Sequence, residues 1–388
     1  MKSNRPVSRA PESGVQTRAP ALGKAAGPGI VAIGMHRRPA FSERVIPFTA
    51  GDGMRLRLVN VRGPAPPTRA PVLLVHGAGV RSGVFRAPVP ANIVDALVAR
   101  GHDVWLEDWR ASIDVPPNPW TLDQAAKYDH PAAVRAVLAE TGADRIKAII
   151  HCQGSTSFMM SACAGLVPQV DTIITNAVSL HTLVPAWSRA KLRYAVPVAS
   201  RFLSYLDPSW GDRPPPGAAS VITGLVKAAH RECASTVCKL VSFTYGSGFP
   251  ALWRHENLGE DTHDAWLPRE FGPVPLTFFR QMDRCVRRGH LVAYRHLEGL
   301  PDDYTAQEPR TDARVVFLAG ELNRCFLPDS QRLSHAFFSR HQPGRHALHI
   351  LPGYSHLDVF FGERAHRDVF PLIIDELAGT PARHRGDR

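Results

Sequence analysis

The chain has 388 residues, of which 44% are hydrophobic and 21% charged, and a formal net charge of +11. That length can bury a large core, and the balance is that of a globular enzyme rather than a disordered or fibrous chain. No run of 18 apolar residues occurs, which argues against a transmembrane helix. The positive charge is concentrated at the ends, with seven basic residues against one acidic in residues 1–40 and three against one in residues 381–388. A folded basic face is therefore absent from the pattern, and with no basic-aromatic module in view nucleic acid is not an expected partner.

Residues 1–40 are rich in Arg, Ala, Pro and Gly without apolar periodicity and read as a disordered basic leader. Their composition is that of an organellar transit peptide, without its amphipathic helical period. Gly27-Pro28-Gly29-Ile30-Val31-Ala32 superficially matches a dinucleotide fingerprint, but no strand precedes it and Pro follows the first Gly, so no cofactor is expected there.

The first part of a core is expected over 41–180. Alternating apolar positions from Arg44 to Val61 predict two antiparallel strands around Gly51-Asp52-Gly53. Strands at 72–76, 103–107, 145–151 and 171–178 then alternate with helices near 89–100 and 122–140. This is the pattern of an α/β protein, with a mostly parallel sheet covered on both faces. Section 181–310 breaks the repeat. It opens Pro-rich, with Asp207-Pro208-Ser209-Trp210 and Pro214-Pro215-Pro216, and continues with helical segments at 217–243 and 274–294. It is expected to be an inserted helical cap. Strands 314–319 and 346–351 and a helix near 366–378 complete the core over 311–380, leaving 381–388 as a basic tail.

The six cysteines are Cys152, Cys163, Cys233, Cys238, Cys285 and Cys325, with no Cys-x-x-Cys pair among them. They read as free thiols in a reducing compartment, which points to the cytoplasm. Cys233 and Cys238 fall in a helical-looking stretch and read as core residues. No ligand cluster has the usual zinc spacing, so no metal is expected.

The chemistry concentrates in Ala148-Ile149-Ile150-His151-Cys152-Gln153-Gly154-Ser155. An apolar strand runs into a small-residue turn from which a helix can leave, which is the layout of a nucleophile elbow. Strained backbone at the nucleophile demands small neighbours, and Gly154 lies two residues after Cys152. Ser155 is the rival nucleophile, but Ser157 stands where its glycine should be. Ile150, two before Cys152, is bulkier than an elbow usually carries. Upstream, Pro71-Val72-Leu73-Leu74-Val75-His76-Gly77-Ala78-Gly79 is a strand ending in His-Gly. Downstream, Ile350-Leu351-Pro352-Gly353-Tyr354-Ser355-His356-Leu357-Asp358 ends a strand with a His in a loop.

The order strand–His-Gly, elbow, late His resembles the α/β-hydrolase superfamily over roughly residues 45–378. Asp108-Trp109-Arg110-Ala111-Ser112, the elbow and the His356 loop resemble a bacterial subgroup whose hydrolase-like domain sometimes accompanies a cholesterol-oxidase-type flavoprotein. A Cys elbow is also found in polyhydroxyalkanoate synthases. The resemblance implies an α/β-hydrolase fold, Cys152 as nucleophile and His356 as general base, with His151 packing on the sheet. Where that fold carries an acid after strand 314–319, this chain reads Gly320-Glu321-Leu322-Asn323, which makes Asn323 the orienter of His356. A thiolate balances an imidazolium without a carboxylate, so Cys152 and Asn323 are mutually consistent. Glu321 or Asp329 is the alternative. The oxyanion donors would be the backbone N–H groups of Gln153 and Ala78.

The expected activity is hydrolysis of a small-molecule ester or thioester with an apolar acyl part, through a Cys-acyl intermediate and without a cofactor. Two alternatives stay open. One is acyl transfer of the polyester-synthase type; the other is a non-catalytic module serving a flavoprotein oxidase partner.

Overall fold

The computed structural model describes residues 41–379. The expected leader, its fingerprint-like Gly27–Ala32 stretch and the basic tail lie outside the described residues. Strands β1 (Ser42–Thr49) and β2 (Arg55–Arg62) form the expected hairpin, paired antiparallel from Ser42↔Arg62 to Thr49↔Arg55. Gly53, at φ +88°, makes the turn between them. Next come β3 (Arg69–Val75), β4 (His102–Asp108), β5 (Ile146–His151), β6 (Val170–Asn176), β7 (Arg314–Gly320) and β8 (Ala347–Leu351).

The sheet order is β1-β2-β4-β3-β5-β6-β7-β8. β2 meets β4 antiparallel, and every pair from β4 onward is parallel. The central strands are near-continuous apolar runs, such as Val72-Leu73-Leu74-Val75 and Ala148-Ile149-Ile150, with every one of these side chains buried. Both faces of those strands are covered, so no alternation survives in them. Helices Ile93–Ala99, His130–Thr141, Cys152–Cys163 and Phe370–Leu377 fall between or after the strands as the repeat predicts.

The segment between β6 and β7 carries most of the differences from expectation. The helical stretch at 217–243 is two helices, Ala218–Ala229 and Thr236–Tyr245. The side chain of Ser235 accepts from the Cys238 N–H at 3.3 Å and caps the second helix, so His230–Ser235 is a loop. Cys233 is therefore a loop residue and not a helical core residue. A helical run over Ala186–Ala199 was not anticipated. Among the described residues no helix is long and apolar enough to cross a membrane.

The parallel strands place their C-terminal ends along one edge, where loops carry a site. His76 follows β3, Cys152 follows β5, Asn323 follows β7 and His356 follows β8.

Candidate active site

β5 ends with His151 in extended backbone, and the very next residue, Cys152, has φ +55° and begins the helix Cys152–Cys163. Left-handed backbone is costly for a residue with a Cβ and is typical of an elbow held in place by its surroundings. The surroundings are tight. A Cβ on Gly154 would lie 2.1 Å from the His76 carbonyl oxygen, so only glycine lets the helix approach β3 this closely. Ile150 causes no disturbance. It is fully buried within the sheet, opposite Val75 and Thr175.

The rival serine is turned away. Ser155 Oγ donates to the Asn176 carbonyl at 3.1 Å and is buried in the sheet. Ser157 belongs to a sealed line: its Oγ lies 2.7 Å from His130 Nε2, and His130 Nδ1 lies 2.9 Å from Glu107 Oε1. All three are fully buried, so the line braces the elbow helix without reaching solvent.

Cys152 Sγ and one ring nitrogen each of His151 and His356 lie within 4.8 Å of one another. His151 accepts from Asn176 Nδ2 at 2.9 Å, and burial next to His356 and His76 holds its pKa well below the usual imidazole range. It stays neutral. His356 Nε2 has no hydrogen-bond partner apart from the sulfur it faces. Its Nδ1 meets Asn323 Nδ2 at 3.2 Å.

The Asn323 amide is fixed by its other end. Oδ1 accepts from the N–H groups of Cys325 at 2.9 Å and Phe326 at 3.2 Å. That network assigns oxygen to the backbone donors and the NH2 to the ring. Nδ1 must then accept, which puts the proton of a neutral imidazole on Nε2, the sulfur side. The carboxylate alternatives are corrected: Glu321 is exposed and reaches the Gly353 N–H at 3.4 Å, and Asp329 is exposed and paired with Arg332 at 3.2 Å. Glu321 directly follows β7 and Asp329 lies in the first turn of the next helix, Pro328–His341, whereas Asn323 between them is buried.

The His356 loop hangs on the inserted segment. The Leu252 carbonyl accepts from the N–H groups of His356 at 3.0 Å and Leu357 at 3.2 Å. Asp358 accepts from Ser355 N–H at 2.8 Å, from Asn257 Nδ2 at 2.6 Å and from Arg254 N–H at 3.3 Å. Burial still raises the Asp358 carboxyl to about 6.

Sequence reasoning missed Cys325. Its thiol lies beside Cys152, and both line the same cavity. The neighbouring Cys325 thiol, whose Sγ lies 3.4 Å from the Tyr245 carbonyl that accepts from it, is the largest influence lowering the Cys152 pKa, aided by His356 and by the Gln153 N–H against the cost of burial. The net effect puts the Cys152 pKa well below the ordinary thiol range. The closeness of Cys152, with burial, raises Cys325. Cys325 follows Asn323 by two residues, but nothing local to the sequence ties it to position 152.

Of the expected oxyanion donors, the Gln153 N–H is directed at the Cys152 sulfur. Ala78 lines a small cavity shared with Cys152 and His356, and its carbonyl accepts from Tyr245 OH at 2.8 Å. A Cβ on Gly77 would lie 3.1 Å from the Cys152 Cβ, so this loop lies hard against the elbow. Asp108, the last residue of β4, supports that loop. It accepts from the Ser82 N–H at 2.9 Å, Ser112 Oγ at 3.0 Å and Arg57 Nε at 2.8 Å.

The cavity beside Cys152 is lined by Leu192, Phe278, Phe279, Met282 and Phe326, together with Lys191. The Lys191 ammonium donates to the carbonyls of Phe243, Thr244 and Gly246 at the end of helix Thr236–Tyr245, at 3.0 Å for Thr244. Burial pulls it down to about 7. Lys191 also borders a surface groove walled by Tyr194, Val198, Phe202, Val221 and Phe243.

A group of possible metal ligands lies in the inserted segment, where the sequence spacing gave none. Cys233, Cys238, His255 and His263 bring their ligand atoms within 4.8 Å of one another. Their spacing carried no signal because separate segments supply them.

No family model matches the chain. Sterol esterase 2 of Saccharomyces cerevisiae is 28% identical over 109 residues, covering 25% of this chain and 20% of the esterase. Human lipase member K is 32% identical over 126 residues, covering 28% of this chain and 31% of the lipase. The chain thus spans about a fifth to a third of the length of these curated relatives. Among solved structures, a thermophilic esterase from Thermogutta terrifontis is similar over 87% of this chain and 98% of its own, at a TM-score of 0.51 and 15% identity. The strand order, the elbow and this likeness agree that the chain has the α/β-hydrolase fold.

Proposed function

We propose that the protein is an acyl hydrolase that cleaves an ester or thioester with an apolar acyl part through an acyl intermediate on Cys152. The observation that carries this reading is the Cys152 thiol itself. It sits at a positive-φ elbow and is held toward the thiolate by Cys325, His356 and the Gln153 N–H, beside an apolar cavity. The esterase and lipase relatives support acyl chemistry.

In acylation the sulfur lone pair forms the S–C bond and the carbonyl π pair moves to oxygen. The Gln153 and Ala78 N–H groups would face that oxyanion, and each such donor is worth about 2.7–4 kcal/mol of barrier. Collapse breaks the bond to the leaving group, which departs with a proton from His356 Nε2 if it is an alcohol. Water then attacks the acyl-sulfur carbon and loses a proton, to His356 where the ring gave one to a departing alcohol and to solvent where a thiol left as thiolate, and the acid is released as the thiolate of Cys152 re-forms. This shuttle needs a proton on Nδ1 as well, and there the Asn323 NH2 stands in the way. A thiol leaves as thiolate without protonation, so the site favours thioesters over oxygen esters.

In this reading the segment 181–310 acts as a cap. Residues from three stretches of it, among them Val184, Leu192, Tyr245 and Met282, line the cavity beside Cys152. The exposed groove beyond Lys191 fits the far end of an apolar chain, since Tyr194 and Phe202 are each more than 70% exposed there. All six cysteines are free, which fits the reducing compartment and cytoplasmic location we propose. The Cys elbow keeps the proposed kinship with the bacterial Cys-elbow subgroup. The largely apolar lining of the cavity favours acyl transfer to a non-water acceptor as the second reading. A flavoprotein partner rests on the sequence resemblance alone and forms no part of the proposal.

The test is intact-mass spectrometry after mixing the protein with an octanoyl thioester and with the matching oxygen ester. An octanoyl adduct that maps to Cys152, and is absent from Cys152→Ala, is the expected result. Unmodified protein with turnover intact in Cys152→Ala would overturn the reading.

A further inference from the structure

Outside the elbow, one cluster of side chains has no role in acyl chemistry. Cys233 lies in the loop before helix Thr236–Tyr245, and Cys238 lies in that helix's first turn. His255 opens the short helical turn His255–Asn257, and His263 lies in the helical stretch Asp261–Trp266. The fold brings them together in two crossed pairs. Cys233 Sγ lies 3.5 Å from His263 Nε2, and Cys238 Sγ lies 3.5 Å from His255 Nε2.

Those distances have a second meaning. Zinc bonds of about 2.3 Å to sulfur and about 2.0–2.1 Å to nitrogen, at a tetrahedral angle, put sulfur and nitrogen about 3.5 Å apart. One S–H···N contact would give a similar spacing. The two pairs converge, with all four ligand atoms within 4.8 Å of one another, close enough for one ion to reach all four.

The outer contacts point the same way. His255 Nδ1 lies 3.1 Å from Glu232 Oε1, and His263 Nδ1 lies 2.5 Å from Asp264 Oδ1. A carboxylate on Nδ1 fixes the proton there and turns the Nε2 lone pair inward, the arrangement of metal-bound histidines. The Ser235 N–H donates to Cys233 Sγ at 3.3 Å. The buried Trp253 indole N–H, which has no other partner, lies beside the Cys238 sulfur. Backbone and indole donors aimed at sulfur suit thiolates. Two thiolates and two neutral imidazoles balance a divalent cation.

We propose that Cys233, Cys238, His255 and His263 form a closed, four-ligand structural zinc site. Four protein ligands leave no open position, so the ion would staple and not catalyse. What it staples is specific. Segment 251–257, which includes ligand His255, supplies the Leu252 carbonyl to His356 and Leu357 and the Arg254 and Asn257 donors to Asp358. The metal would hold the strap on which the His356 loop hangs. The proposal stands independently of the acyl chemistry.

The experiment measures metal in the full chain, purified under reducing conditions, by mass spectrometry of the elements and by cobalt substitution. About one zinc per chain is expected. Cobalt should give the visible bands of a tetrahedral ion and a near-ultraviolet thiolate charge-transfer band. Cys152→Ala should keep both signals, and Cys233→Ser and His263→Ala should lose them. Chelation should lower Tm by about 5 °C or more. If the ligand variants do not fold, the cobalt spectrum of Cys152→Ala carries the test. A wild-type chain that holds no zinc and takes up no cobalt overturns the proposal. So does a Cys233–Cys238 disulfide in the reduced preparation, or metal lost in Cys152→Ala but retained in His263→Ala.

Discussion

Asn323 points its amide nitrogen, not its oxygen, at Nδ1 of His356, 3.2 Å away. The oxygen is held by the Cys325 and Phe326 N–H groups. The residue that stands where this fold carries a carboxylate thus does the reverse of what a carboxylate would do. It favours a neutral ring with its proton toward the sulfur.

Asn323→Asp should reverse this preference. One carboxylate oxygen keeps the two backbone donors, and the other accepts a proton on Nδ1. Oxygen-ester turnover should rise at least about tenfold, a fraction of the about 10²–10⁴-fold worth of general acid–base catalysis. Thioester turnover should change little. Cys152 should stay thiolate to lower pH, since the paired imidazolium favours it. Steady-state rates on a matched ester and thioester decide the matter, and an equal change on both substrates would refute the assigned tautomer.

Cys325→Ala should make Cys152 a weaker acid. The wild-type thiol, lowered first by Cys325, should be alkylated by iodoacetamide well below the ordinary thiol range. Without that neighbouring thiol the midpoint should move upward, toward the ordinary thiol range. An unmoved profile would leave His356 and the helix N-terminus as the agents.

Gly154→Ala should destabilise the protein by about 3 kcal/mol or more. The new Cβ would lie 2.1 Å from the His76 oxygen, and that atom is backbone in the central sheet. The urea midpoint of the variant, or its failure to appear as folded protein, is the measurement. A loss under about 0.5 kcal/mol would show that helix and strand separate more easily than the packing implies.

Asp358 gives stability a pH dependence. Burial raises its carboxyl from 3.8 to about 6 against its hydrogen bonds from Asn257, Ser355 and Arg254. Between these values the folded chain binds more protons than the unfolded one. The contribution is therefore present below pH 3.8 and lost as pH rises through about 6, on the order of 3 kcal/mol at most. Asp358→Asn resembles the protonated form, so the difference between variant and wild type should move in the variant's favour from pH 4 to 7. Denaturation at stepped pH reads it, and parallel curves would rule the effect out.

The sheet was legible because its strands are short apolar runs bounded by turn residues. Cys152 was legible because an elbow needs a strand before it and a glycine two after it. Asn323 could be placed by counting from β7, but its amide orientation could not, since that depends on where Cys325 and Phe326 turn their N–H groups. Cys325, Tyr245 and Lys191 reach the site from loops and helices whose course no local pattern fixes. The helix break at His230–Ser235 was hidden because its residues look helical in composition. With it went the meeting of Cys233 and Cys238 with two histidines up to 30 residues away.

The single Leu252 carbonyl shared by His356 and Leu357 also constrains motion. Whatever lies above Cys152 is hung from one jamb. A swing that carried 251–257 outward would strip His356 of its footing and dismantle the very site it uncovered. Elsewhere in the inserted segment, Trp187, Phe202 and Leu225 lie with more than 60% of their surface bare. In the acyl-hydrolase reading, a long chain would have to enter and leave by a route that does not move 251–257.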